Sequence, residues 1–203
     1  MKKILLLLCS ALFMMNYAFS QNSSTDDEEK SGFSAEYKMN EPGDQFINIG
    51  LMVTFPLNFG GTFPLYRDGQ LSTGGAGLIG YHRFITSNFA VGFDISFGYN
   101  PTIGQNMFTY VPFTFCFTYQ PTYKRFEFPI SLGVGAAVES YLNRTYFPGF
   151  VLKPELGIFY RVTPSWSFGT KGNYLYMPQW YSDSSKNDVG YFSSIVVAAR
   201  YHF

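Results

Sequence analysis

Charge is what this sequence has least of. Asp, Glu, Lys and Arg make up 14% of its 203 residues, against roughly a quarter in an ordinary soluble domain. That is too little to clothe a water-soluble surface. The 14 acidic and 14 basic residues cancel, so no basic face invites nucleic acid. There are two cysteines, Cys9 and Cys116. If residues 1–20 are removed as an export signal, Cys116 stands alone, which excludes a disulfide-stapled secreted domain. The two histidines, His82 and His202, lack partners at metal-ligand spacing. Gly-x-Gly at Gly75–Gly77 and Gly133–Gly135 is not followed by Gly-Lys-Ser/Thr, so a phosphate cradle is not expected. Neither a cofactor nor a metal is called for. Beyond the N-terminal stretch no run of 18 apolar residues occurs, which excludes a spanning helix. If such a chain enters a bilayer, only a closed barrel satisfies its backbone there.

Aromatic residues are what it has in excess, at 20%, with 23 Phe and 16 Tyr. Before they begin, Lys2 and Lys3, the apolar Ile4–Leu8 and the small-x-small Ala18-Phe19-Ser20 read as a cleavable signal over residues 1–20. Leu8 ahead of Cys9 argues against a lipoprotein signal, which wants a small residue there. Residues 21–44 carry Asp26-Asp27-Glu28-Glu29 without any apolar period and are expected to be an acidic, disordered tail. Residues 45–203 form the remaining domain.

Within it, side-chain character alternates with a period of two, the mark of a strand with two different faces. Bulky residues recur at Ile47–Phe55, Phe89–Tyr99, Met107–Tyr119, Phe126–Val138, Phe150–Val162, Trp166–Tyr176 and Tyr191–Phe203. An eighth strand over Ser72–Ile85 is needed by position. Its Gly-rich start and the order Tyr81-His82-Arg83-Phe84 leave its faces unassigned, and a bulge is expected there. Across the seven clear strands every charge, Asp94, Glu127, Glu139, Lys153, Glu155, Arg161, Lys171 and Arg200, shares the face of smaller residues.

Volume decides which face is inside. An eight-stranded barrel has an interior just wide enough for side chains to fill. The bulky faces carry far too many Phe, Tyr, Leu, Ile and Val to fit, so they point outward. Such a belt is untenable in water and expected in lipid, where Arg or Lys at mid-depth costs roughly 2–4 kcal/mol. The fold class expected is therefore all-β, a transmembrane antiparallel up-and-down barrel of eight strands. Phe89, Tyr119, Phe126, Tyr160, Trp166, Tyr201 and Phe203 would form one interfacial girdle. Tyr99, Phe150, Tyr174, Tyr176 and Tyr191 would form the other. Short turns at 86–88, 120–124 and 163–165 alternate with longer connections at 56–71, 100–106, 140–149 and 177–190. This is the turn-and-loop asymmetry of bacterial barrels, with both termini on the periplasmic side. Inside, Glu127 and Arg161 are expected to pair near the turns, with Lys153, Glu155 and Lys171 nearer the middle.

The last strand, Val197-Ala198-Ala199-Arg200-Tyr201-His202-Phe203, resembles the C-terminal signal of bacterial outer-membrane proteins. In that class the terminal aromatic and its outward neighbours, here Phe203 and Tyr201, are read by the barrel-assembly machinery. Tyr110-Val111-Pro112-Phe113-Thr114-Phe115 and Ile130-Ser131-Leu132-Gly133-Val134-Gly135-Ala136 are similar to the small barrels of the OmpW/OmpX/OmpA superfamily, over about residues 45 to 203. The resemblance implies an outer-membrane location, contact with the lipid bilayer, and a narrow channel for passive passage of small, in some members hydrophobic, molecules. The alternative is a closed structural or adhesin-like barrel that acts through its extracellular loops. An enzyme is not expected, since neither His has a Ser two residues away on its own strand face.

Overall fold

The computed structural model describes residues 40–61, 71–102, 106–142 and 144–203. The expected signal (1–20) and all but the last five residues of the expected tail lie outside the described residues, as do 62–70 in the first long connection. Ten strands follow in order: β1 Gln45–Gly61, β2 Gly74–Thr86, β3 Phe89–Pro101, β4 Met107–Tyr119, β5 Thr122–Tyr123, β6 Phe126–Glu127, β7 Ile130–Tyr141, β8 Arg144–Thr163, β9 Trp166–Gln179 and β10 Asp188–His202. β5 and β6 are two-residue pieces of a turn. β6 continues into β7 as one strand, because Phe126–Tyr160 and Ile130–Leu156 lie in the same register along β8. With β6 and β7 counted as one strand and β5 left in the turn, each strand pairs antiparallel with the next, and β1 closes on β10, giving a ring of eight.

The ring is staggered, as closure of a tilted sheet demands. Stepping straight across from partner to partner, Ile47 leads through Tyr81, Phe93, Phe115, Val134, Leu152, Tyr176 and Tyr191 back to Asn58, not to Ile47. One residue of that displacement is a bulge between Pro56 and Asn58.

Outward residues are apolar and exposed, with Leu51 at 76%. Phe97, Phe113, Leu156, Ile195 and Val197 lie on the same belt. No described helix is long and apolar enough to cross a membrane; here the strands do so, and the closed ladder leaves no free edge in the hydrocarbon. Aromatic residues collect at the belt's margins. At the end with short turns Phe89 packs on Tyr119, Phe126 on Tyr160, and Trp166 on Tyr201, which in turn meets Phe203. At the end with long loops Tyr174 and Tyr176 both contact Tyr191, and Tyr99 is exposed. Trp180, expected in a loop, packs on Phe150 and joins this margin.

Three particulars differ from the sequence reading. β2 alternates without interruption: Ala76, Leu78, Gly80, His82 and Phe84 point in, and Ile79, Tyr81, Arg83 and Ile85 point out. The bulge lies between Phe84 and Thr86, beside the turn. The faces were unreadable because the usual sizes are inverted, with Phe84 inside and Gly75 and Gly77 outside. Second, strands run past the belt. β8 begins at Arg144, so the expected loop 140–149 is mostly ladder. Backbone pairing continues into water, where the side-chain pattern is no longer enforced. Third, residues 40–44 bond to the barrel: Gly43 N–H donates to Phe84 O, and Phe84 N–H to Asp44 O, both at 2.8 Å.

Pro112 and Pro154 sit in mid-strand, where the missing N–H must cost a ladder bond. Each disturbs one side only. Pro112 keeps Ala137 as partner while the β3–β4 pairing skips from Ile95–Phe113 to Gly98–Tyr110. Pro154 keeps Leu132 while the β8–β9 pairing skips from Leu152–Tyr176 to Glu155–Asn173. Outside that second skip lies a groove of about 470 Å³, bordered by Ile130, Leu156 and Tyr174.

Leu51→Arg should lose about 2–4 kcal/mol of stability in a bilayer. Leu51→Ile should stay within about 1.5 kcal/mol of wild type. Urea unfolding from liposomes measures both, and equal stability of the two variants would contradict a hydrocarbon-facing Leu51.

Candidate functional site

The inward face is the one place where this chain concentrates its chemistry. Asp94, Glu127, Glu139, Lys153, Glu155, Arg161, Lys171 and Arg200 are all buried in the lumen, four acids with four bases. A charge so far from water is tolerable only when paired and hydrogen-bonded, and the strands deliver the pairs in tiers.

The tier at the short-turn end centres on Glu127. Its Oε1 accepts from Arg161 Nε at 2.6 Å and from Nη2 at 2.6 Å. Its Oε2 accepts from Gln120 Nε2 at 3.0 Å and from Arg200 Nη1 at 3.3 Å. Arg200 also donates to Gln120 Oε1 at 2.9 Å. One carboxylate thus faces two guanidinium groups. The second is further held by aromatic faces, with Arg200 Cζ 3.6 Å from the Phe159 centroid and 4.8 Å from that of Phe46. Asn40 Oδ1 accepts from Arg161 Nη2 at 2.9 Å, so the segment before β1 caps this end.

The next tier is a chain of alternating charge. Asp94 accepts from Lys153 Nζ at 2.6 Å and contacts His82 Nε2 at 3.0 Å. Lys153 Nζ lies 3.7 Å from Glu155, which accepts from Lys171 Nζ at 2.8 Å. Cys116 Sγ is 3.5 Å from Asp94 Oδ2. Room for Asp94 comes from the strand beside it: a Cβ at Gly80 would stand 1.9 Å from Asp94 Oδ1. Across the lumen Met52, Ala76, Leu78, Val196 and Ala198 pack with Phe159 as an apolar wall.

Towards the long-loop end the described inward side chains are largely apolar. Leu71, Phe108, Tyr110, Val151, Met177 and Phe192 form one cluster, in which Phe108 stacks on Phe192 at 6.1 Å and 3°. Tyr110 lies over Gly98, where a Cβ would stand 2.4 Å from its ring. The face of smaller residues therefore also holds large ones, each set against a glycine or a small neighbour. Above this cluster Gln179 Nε2 donates to Glu139 Oε2 at 2.5 Å.

Several groups in these tiers escaped the sequence reading. Gln120 and Asn40 lie beyond the strand ends, and His82 lies on the strand whose faces were unreadable. Ser167 and His202 are bonded across neighbouring strands, Oγ to Nε2 at 2.9 Å. In this pair Ser167 is fully buried, and the His202 ring packs on Phe46. Cross-strand register, which a sequence does not print, is the signal that would have found it. Among the described residues no group of three or more His, Cys, Asp or Glu is placed to hold a metal ion.

A closed ring of eight antiparallel strands, an apolar outer belt with aromatic margins and an ion-paired lumen define a small outer-membrane β-barrel. Solved structures agree on the fold. Neisserial surface protein A superposes with a TM-score of 0.60 at 14% identity, covering 79% of this chain and 97% of that one. The outer-membrane protein OprG of Pseudomonas aeruginosa gives 0.55 at 12% identity, covering 82% and 98%. A protein-family model matches residues 24–201, and the chain belongs to that family. An uncharacterized protein of Treponema pallidum (strain Nichols) is 32% identical over 177 residues, covering 82% of this chain and 80% of the relative.

Glu127→Gln should cost about 3–5 kcal/mol, because it leaves two buried guanidinium groups facing a neutral amide. Denaturant unfolding of the refolded barrel measures this. A loss under about 1 kcal/mol would mean that water, not Glu127, compensates the arginines.

Proposed function

We propose that this protein is a closed surface barrel: a packed, membrane-anchored scaffold that presents its long-loop end to partners outside the cell. The observation that carries this reading is the filling of the lumen. Ionic tiers occupy its lower and middle parts, and the Phe108–Tyr110–Phe192 cluster occupies the end with long loops. Opening a polar path would mean separating buried ion pairs, each of which costs several kcal/mol when one partner is lost. The narrow-channel reading requires that separation, and the closed reading does not.

In this proposal both termini and the short turns are periplasmic, residues 1–20 are removed on export, and Phe203 with Tyr201 addresses the chain to the assembly machinery. The long loops then supply the contact surface. The start of β8 and the connection after β9 are clamped together: Tyr146 Oη accepts from Trp180 N–H at 2.8 Å and donates to Trp180 O at 3.1 Å, while its ring meets Tyr181. Phe147 and Leu142 are exposed beside this clamp. A fixed, partly aromatic tip suits recognition, since large rigid side chains lose little entropy on binding.

Reconstitution in liposomes tests the proposal. Efflux of ions and of small apolar solutes should match protein-free vesicles. Replacing residues 180–187 with a Gly-Ser linker should abolish binding to host-cell or matrix surfaces while the barrel stays folded. Solute flux above the control would restore the channel.

A further inference from the structure

The outer wall carries one anomaly. Among the strand residues whose side chains are described, a single charged side chain points out of the barrel, Arg83 on β2. It is exposed and has no hydrogen-bond or ion-pair partner among the described residues. Every other charge on a strand there is folded into the lumen and hydrogen-bonded.

Its neighbours fix its depth. Arg83 lies opposite Gln45 on one side and Val91 on the other. Gln45 exchanges two backbone hydrogen bonds with Phe203, both 3.0 Å, and Phe203 belongs to the aromatic margin through Tyr201 and Trp166. Val91 is two residues from Phe89, which packs on Tyr119 in the same margin. Arg83 therefore sits between two stretches of the girdle at the short-turn end. At the bilayer midplane an outward Arg would cost roughly 2–4 kcal/mol, and this falls to about 0–1 at the interface. The side chain is long enough to lay its stem along apolar wall while its head reaches the headgroup layer.

Two further groups shape the spot. The Tyr81 hydroxyl, on the same outward face, donates to Gln45 Oε1. That engages the amide oxygen of Gln45, the residue opposite Arg83 on β1. The patch thus pairs a planar fork of fixed charge with the side-chain amide of the residue opposite it. A fork of this kind matches the paired oxygens of a phosphate, and the layer it reaches is where phospholipid phosphates lie.

We propose that Arg83, with Gln45 beside it, is a binding site for the phosphate of a phospholipid headgroup in the leaflet at the short-turn end. The site orders one lipid against β1 and β2. It depends on the membrane-spanning fold and not on whether the lumen is closed.

Native mass spectrometry of the full-length refolded protein in non-ionic detergent tests this. The probes are phosphatidylglycerol, diacylglycerol with the same chains, and inorganic phosphate. Wild type should retain phosphatidylglycerol well above diacylglycerol. Arg83→Gln should lower the retained phospholipid about tenfold, the worth of a charge-assisted hydrogen bond. Arg83→Lys, which keeps charge without the fork, should fall between. Heat-modifiable migration on gels establishes folding of each variant. If Arg83→Gln fails to fold, the ratio of phospholipid to diacylglycerol decides through Arg83→Lys, which should lower it. The proposal is overturned if Arg83→Gln binds phosphatidylglycerol like wild type, if diacylglycerol binds equally well, if Arg83→Lys leaves that ratio unchanged, or if inorganic phosphate displaces the lipid at equal concentration.

Discussion

The pairing of β1 with β10 is the contact on which everything else rests. In hydrocarbon a free strand edge exposes a row of N–H and C=O groups with nothing to bond, at several kcal/mol each. Closure removes both edges at once. It runs from Phe46–His202 at one end to Gly61–Asp188 at the other, with one bulge to absorb the mismatch. Once the ring is closed at eight strands, its bore is fixed and the inward residues must fill it.

That constraint turns the usual distribution of polarity inside out. Bulky apolar side chains face lipid, and the charges are confined to the narrowest space in the molecule. Glu127 with Arg161 and Arg200, and the Asp94–Lys153–Glu155–Lys171 chain, follow from this confinement. Each group there is buried, and each has a partner of opposite charge. Arg83 departs from the pattern, and its place at the aromatic margin is where an outward charge costs least.

Much of this was legible in the sequence because a strand has a period of two. A run such as Phe89-Ala90-Val91-Gly92-Phe93-Asp94 sorts its own side chains between two faces without help from any other part of the chain. Where the sorting failed, the residues show why. In β2, Gly75 and Gly77 leave the outer face bare while Phe84 turns inward, so size misleads. Gln120 and Asn40 lie outside any alternating run, so nothing local announces that they bond Arg200 and Arg161. The loop expected at 140–149 is mostly ladder, because pairing with β7 extends the strand where patterning has lapsed.

The sequence by itself determined the number of strands, the two faces of seven of them and the necessity of closing them, since alternation and interior volume are properties of short segments and of their number. Only the tertiary structure decided which inward groups meet. Those contacts depend on the stagger of the ring, which carries Ile47 round to Asn58. They depend equally on where Pro112 and Pro154 interrupt the ladder. Stagger is a sum over eight registers, and a shift of one residue in any of them would exchange the two faces of a strand.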